Sequence, residues 1–210
     1  MSTYKSSVDA LATIAALAAP GTPPVIVQSK ASVTGTQSIT LDSAPTEGNL
    51  LVAMWWNPSV GTDGAGWTRV AATDTGIDFA HIVTKVAGAG ESATQSPINS
   101  SPGGTGGIIM WELTGQAVSA PVAAATMGFA SGTLQFQGPA LPGVTDMIAL
   151  HGSGGDNTYT SVSNAIQDQL VNSGGRKVYA GHSTFPVGAQ IFGVVGGTNQ
   201  LKCGVVLIKK

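Results

Sequence analysis

From Val25 onward the chain alternates between apolar runs of five to eight residues and short clusters of Gly, Pro, Asn, Asp and Ser. Runs of this length, bounded by turn residues, are typical of β-strands. Between them only Ser161 to Val171 could form a helical turn or two. The pattern therefore predicts the all-β class, as a jelly-roll-like β-sandwich. The strands are expected near residues 25–30, 37–41, 49–56, 67–72, 79–87, 107–113, 121–127, 133–137, 145–151, 177–183, 187–195 and 203–209.

Three of these runs are apolar almost without alternation, at residues 50–55, 108–111 and 205–208. Such runs predict central strands that are covered on both faces. Neighbouring side chains of a strand point to opposite faces, so Trp55 and Trp56 cannot share one layer. We expect most of the four tryptophans to lie in the core and Trp56 to be the candidate exposed aromatic. No internal repeat at a fixed period is visible, which argues against a solenoid or propeller.

The first 24 residues show a different pattern, which is typical of a helix rather than of strands. Ser6 or Ser7 can cap a helix, Asp9 falls in its first turn, and an Ala-rich stretch follows. So short a helix needs a surface to lie on, either its own domain or a neighbouring subunit. We favour the subunit. The predicted docking residues are Val8, Leu11, Ile14 and Leu17.

A Pro-rich connector, residues 20–24, then ends the helix and separates it from the body of the chain. The predicted organisation is therefore a docking segment, 1–24, and a β-sandwich domain, 25–210. A secretory signal peptide is the alternative for the first 20 residues, and Asp9 within the apolar stretch argues against it.

Composition excludes several classes of protein. Charged residues make up 10% of the chain and the net charge is −2, so no basic surface is available for nucleic acid. No apolar run approaches the roughly 18 residues needed to span a bilayer, so we do not expect a membrane protein. Cys203 is the only cysteine and cannot form an internal disulfide.

The most enzyme-like motif is Gly181-His182-Ser183, which begins like the nucleophile elbow of hydrolases. Phe185 replaces the glycine that the elbow needs, and Pro186 follows where a helix should begin. The glycine-rich run 152–155 also lacks the Lys and Ser or Thr of a phosphate-binding loop and is expected to be a connection between strands. We therefore predict no catalytic residues and no enzyme activity.

No metal or cofactor site is predicted either. The three histidines are far apart in sequence and show no metal-ligand spacing. Asp74 with Asp78, or Asp156 with Asn157, could supply oxygen ligands to calcium, but these residue types more often form Asx turns.

Four segments taken in order carry a resemblance, at residues 45–53, 66–70, 81–91 and 107–115. Together they resemble a β-sandwich module of tailed-phage and prophage structural proteins, including fibre, appendage and decoration components. The resemblance implies a virion location and other virion proteins as partners. It transfers no functional residue to this chain.

Two functions follow as hypotheses. The first is a non-catalytic virion structural protein that assembles through its N-terminal segment and its sandwich, as a homo-oligomer and by analogy with fibres a trimer. The alternative is a receptor- or carbohydrate-binding adhesion module that recognises a host surface glycan through the loops at 57–66, 97–107 and 152–161.

Overall fold

A computed structural model describes twelve segments of the chain: 24–33, 38–57, 61–74, 79–100, 106–114, 122–130, 133–137, 147–155, 166–173, 176–184, 191–195 and 201–209. All regular secondary structure in these segments is β-strand, which confirms the predicted all-β class. The predicted N-terminal helix and its docking residues, Val8, Leu11, Ile14 and Leu17, lie outside the described residues. The strands are β1 Ile26–Ser32, β2 Ile39–Thr40, β3 Leu50–Asn57, β4 Gly61–Asp63, β5 Thr68–Asp74, β6 Phe79–Val86, β7 Thr94–Gln95, β8 Ile98–Ser100, β9 Gly107–Leu113, β10 Val122–Ala130, β11 Thr133–Gln137, β12 Met147–Gly155, β13 Ile166–Ser173, β14 Arg176–Thr184, β15 Ile191–Val195 and β16 Leu201–Lys209.

The strands form two five-stranded antiparallel sheets and three small two-stranded ones. The first large sheet has the order β1-β9-β3-β6-β5 and the second β10-β16-β12-β14-β13. The small sheets pair β2 with β7, β4 with β8, and β11 with β15. The jelly-roll connectivity is not confirmed, because each half of the chain supplies one whole large sheet.

The two large sheets face each other across a shared apolar core. Because side chains alternate along a strand, every second residue of β3 points into this core and the others point away from the second sheet. The inner core holds Val33, Leu50, Val52, Met54, Trp56, Ala80, Ile82, Ile109, Trp111, Leu113, Ile148, Leu150, Val178 and Ala180.

The outer face of the first sheet is also covered, which explains the uninterrupted apolar runs of β3 and β9. All seven residues of β9 are buried. A second core lies on this face and includes residues from the segments that carry the short strands β2 and β8. Its members are Ile39, Leu41, Leu51, Ala53, Trp55, Trp67, Phe79, Val83, Ala87, Ile98, Ile108 and Met110.

Two glycines of β12 let the sheets approach closely. A Cβ atom at Gly152 would lie 2.7 Å from Met54 Sδ, and one at Gly154 would overlap the ring of Trp56. The sequence analysis expected this glycine-rich run to be a loop, but the strand continues to Gly155. The glycines make room for large side chains of the facing sheet rather than for a turn.

The structure corrects the prediction that Trp56 is an exposed aromatic residue. It is 6% exposed and packs in the inner core, against the glycines of β12, whereas Trp55 faces the outer core. The pair does point to opposite faces as expected, but both faces of β3 are covered. All four tryptophans of the chain are buried.

Candidate functional site

The candidate site is the side of the sandwich where β1 and β13, the edge strands of the two sheets, come together. Large apolar side chains with more than a third of their surface exposed are rare in the described residues, and four of the five flank this side. They are Val25 (56%), Val27 (47%), Ile166 (60%) and Leu170 (42%). We call these four residues the apolar edge.

Directly inside the apolar edge, Asp168 of β13 links the two sheets. Its Oδ2 accepts a hydrogen bond from Trp111 Nε1 of the first sheet at 2.9 Å. Its Oδ1 lies 2.6 Å from His182 Nδ1 on β14 of its own sheet. Only 9% of the Asp168 side chain is exposed, so these contacts hold a nearly buried carboxylate in place.

Gln169 adds a second link across the same side. Its Nε2 donates to the backbone oxygen of Ser29 at 3.1 Å and lies 3.3 Å from the Ser29 hydroxyl oxygen. A β-bulge between Gln167 and Gln169 places both Asp168 and Gln169 where they can reach the first sheet. The exposed Ile166 and Leu170 therefore belong to an edge strand that is fastened to the facing sheet by polar contacts.

The second sheet holds two further buried polar residues, His151 and Tyr179. Burial, with a smaller electrostatic contribution from His182, lowers the pKa of His151 to about 3. Burial, helped by the negative charge of Asp168, raises the pKa of Tyr179 to about 12. Both side chains are therefore neutral at physiological pH.

The first sheet has its own Asp and His pair on its outer face. His81 Nδ1 lies 2.9 Å from Asp63 Oδ1, and Arg69 Nε donates to Asp63 Oδ2 at 2.8 Å. The His81 ring lies 4.3 Å from the Trp55 ring, centroid to centroid. These contacts fasten the short strand β4 to the sheet.

Glu112 is the third acidic group held inside the fold. It is 0% exposed and accepts hydrogen bonds from Gln28 Nε2 at 2.5 Å, Thr46 N at 2.8 Å and Asn49 Nδ2 at 2.6 Å. Burial would raise the pKa of Glu112, but the hydrogen bonds outweigh it and lower that pKa. Like the two Asp and His pairs, Glu112 joins a covering segment or an edge strand to the central strands.

The sequence pattern alone does not bring these clusters together. His182 lies in the elbow-like motif of the sequence, but Gly181, His182 and Ser183 continue strand β14 without a turn. Local spacing does not link Asp168 and Asp63 to their histidines, because these partners lie 14 and 18 residues away on other strands. A sequence signal exists for Asp168, because β13 directly precedes the histidine-bearing strand β14, but β5 separates Asp63 from the strand of His81.

The residues proposed as calcium ligands are Asp74, Asp78, Asp156 and Asn157. The last three lie outside the described residues, and so does the side chain of Asp74. In the described part of the chain, no three His, Cys, Asp or Glu side chains come together as a metal site would require. The same part contains no helix that is long and apolar enough to cross a membrane.

Comparisons with known proteins give no match. No protein-family model, curated protein or solved structure is significantly similar to the chain.

Proposed function

We propose that this chain is a non-catalytic structural protein that assembles with other proteins through its apolar edge and its N-terminal segment. The observation that carries the proposal is the concentration of exposed apolar side chains on one side of the sandwich. Exposed apolar side chains grouped on neighbouring edge strands are typical of protein interaction surfaces. The setting we propose is a phage particle, with other virion proteins as partners and with a homo-oligomer, a trimer by analogy with fibres, as the assembled form. The resemblance of residues 45–115 to phage structural modules supports that setting.

The polar clusters support a structural rather than a catalytic role. Asp168, Asp63 and Glu112 each accept two or more contacts from groups on other strands or loops. A catalytic acid or base must face a site that a substrate can enter. In the described residues these carboxylates instead join strands to one another.

The alternative, carbohydrate binding, receives less support. Sugar-binding sandwiches stack the sugar on exposed aromatic rings, and all four tryptophans are buried. Glycan or receptor binding is therefore the alternative function, and no specific contact among the described residues favours it.

The proposal predicts that charge on the apolar edge blocks assembly without unfolding the protein. We expect the double variant Ile166→Lys and Leu170→Lys to lose self-association, and binding to partner particle proteins, by at least tenfold. Light scattering coupled to size-exclusion chromatography and a pull-down with particle proteins measure the two effects. The matched control is Thr68→Lys with Ala72→Lys, at exposed positions of the opposite edge strand β5.

A companion variant tests the N-terminal segment. Leu11→Asp with Ile14→Asp should weaken binding to the particle proteins and leave the melting temperature unchanged. If both pairs of variants bind and associate as the wild type does, the structural proposal is wrong, and screening against glycans becomes the next experiment.

A further inference from the structure

The two large sheets are built on one strand plan. In chain order the first sheet uses β1, β3, β5, β6 and β9, and the second uses β10, β12, β13, β14 and β16. In both, the spatial order is first, fifth, second, fourth and third, with every pair antiparallel. Two of the three small pairs follow the same plan, because β2 with β7 and β11 with β15 occupy the same places in the chain order of their halves, while β4 with β8 has no counterpart among the described strands of the second half.

The registers of the central strand pairs agree. Val52 of β3 pairs with Thr84 and Trp111. Leu150 of β12, 98 positions after Val52, pairs with His182, which is the same 98 positions after Thr84. Its other partner, Val206, follows Trp111 by 95 positions. A shared strand order could arise by chance, but the constant offset of 98 positions between the pair β3–β6 and the pair β12–β14 is a second, independent agreement.

The β-bulges agree as well. The pairing of β5 with β6 shifts between Arg69 and Ala71, and that of β13 with β14 shifts 98 positions later, between Gln167 and Gln169. The first strand of each half also shifts near its start, at 26–28 and at 122–124. Bulges are specific features of a backbone rather than random defects.

The sheets are also placed as a twofold rotation would place them. Edge strand β1 lies beside β13, and β5 lies beside β10, so the first strand of each half meets the third strand of the other. The second strands, β3 and β12, face each other at the centre, as the contacts at Gly152 and Gly154 show. Exchanging the two halves reproduces this arrangement.

The facing surfaces differ where a symmetric interface would clash. Leu50 and Val52 correspond to Ile148 and Leu150, which are similar in size. Farther along the same strands, however, Met54 corresponds to Gly152 and Trp56 to Gly154, and each large side chain fills the space in front of its own glycine counterpart. A pair of two first halves would place large side chains against each other at these positions, and a pair of two second halves would leave a cavity.

From these agreements we infer that the chain is an intramolecular dimer of one duplicated strand plan. The inner face of each half is an interaction surface, and its partner is the other half, in the same chain or in a second copy. Because Met54 and Trp56 pack against glycines, a first half pairs better with a second half than with a copy of itself. Two first halves would clash at these positions, and two second halves would lose packing there. This inference is independent of the proposed function.

An exchange of the two central residues tests the equivalence. Met54→Gly leaves a cavity and Gly152→Met overfills the same space, so each single variant should lower the melting temperature by several degrees, on the order of 5–10 °C. In the double variant the methionine enters from the opposite sheet into the space that was vacated. We expect it to recover at least half of the summed loss.

The matched control combines Gly152→Met with Met110→Gly. Met110 is also a buried methionine of the first sheet, but it belongs to the outer core. Its combination with Gly152→Met should therefore be additive. Equal additivity in the two double variants would overturn the inference.

A second measurement does not depend on core substitutions. A site for a specific protease is inserted between residues 115 and 121 of the full chain, and the folded protein is then cleaved. We expect the halves to stay together on a sizing column and, after unfolding and refolding with a tagged copy, to exchange only as unlike pairs. Separation of the cleaved halves, or like pairs after refolding, would contradict the inference.

Discussion

Single buried polar residues carry much of the specificity of this fold. Glu112, His151 and Asp168 are each enclosed, and each is kept in one protonation state or one set of contacts by its surroundings. A buried polar group costs free energy unless its hydrogen bonds are satisfied. Substitutions at these positions should therefore have larger effects than substitutions of exposed charges.

Replacing Glu112 by Gln should destabilise the protein by about 2–3 kcal/mol at pH 7, because the carboxylate accepts three hydrogen bonds in a site closed to water. The folded state lowers the pKa of Glu112, so its contribution is complete above the pKa of the unfolded chain and is lost as the pH falls through the folded pKa. The gap between the unfolding free energies of wild type and variant should stay constant from pH 7 down to about pH 4.3, the pKa of Glu in an unfolded chain, and should narrow below that pH. Urea unfolding at several pH values on both sides of this point measures the gap, with the exposed Glu47→Gln as control. A gap that does not narrow below this pH would contradict the assigned role.

The lowered pKa of His151 predicts a different pH dependence of the free energy of unfolding. Because its folded pKa is about 3, the unfolded chain takes up a proton below about pH 6.5 while the folded chain does not. Stability is therefore fully present above pH 6.5 and falls by up to about 1.4 kcal/mol per pH unit toward pH 3. In His151→Gln this part of the slope should vanish, so that its free energy of unfolding changes less than that of wild type between pH 6.5 and 5. Parallel curves would show that His151 is not held neutral.

Trp56 shows what sequence pattern can and cannot decide at this scale. Alternation correctly predicts that Trp55 and Trp56 point to opposite faces. It cannot show that both faces are covered, because the covering groups are glycines of β12 nearly a hundred residues later and short strands that contribute little apolar sequence.

At the level of elements, strand β13 is where prediction and structure differ most. The sequence allows a helical turn or two within Ser161 to Val171, but Ile166–Ser173 is an edge strand. The bulge between Gln167 and Gln169 inserts an extra residue, so the apolar alternation expected of a strand is broken within it. Regular strands such as β3, β6 and β9 were predicted close to their true bounds.

The bulge also makes β13 dependent on Asp168. Replacing Asp168 by Ala removes the contacts to Trp111 and His182 and should destabilise the protein by about 2–3 kcal/mol. Urea unfolding gives the magnitude, and hydrogen exchange should show the amides of β13 losing protection before those of β12. The exposed neighbour Gln167→Ala is the control and should change little. Equal effects at the two positions would mean that Asp168 does not fasten the strand.

At the level of the whole molecule, the sequence was sufficient for the class and insufficient for the architecture. Strand and turn chemistry is local, so the all-β class could be predicted from it. The repeated strand plan could not, because a strand position needs only an apolar side chain of suitable size. At the centre of the interface the two halves differ in side-chain size, because Met54 and Trp56 of the first half lie opposite glycines of the second. The duplication therefore survives in registers and bulges and has left no visible period in the residues.

The two sides of the sandwich, equivalent in strand plan, are unequal in surface. Positions 166 and 170 on one side correspond, 98 residues earlier, to Thr68 and Ala72 on the other. All four are exposed, but only Ile166 and Leu170 are large and apolar. A subunit that was adhesive on both sides could add neighbours indefinitely, as open fibres do. Among the described side chains only one side carries such an edge, so this edge by itself joins a subunit to a single neighbour, and a closed trimer draws its second contact from another surface, such as the N-terminal segment.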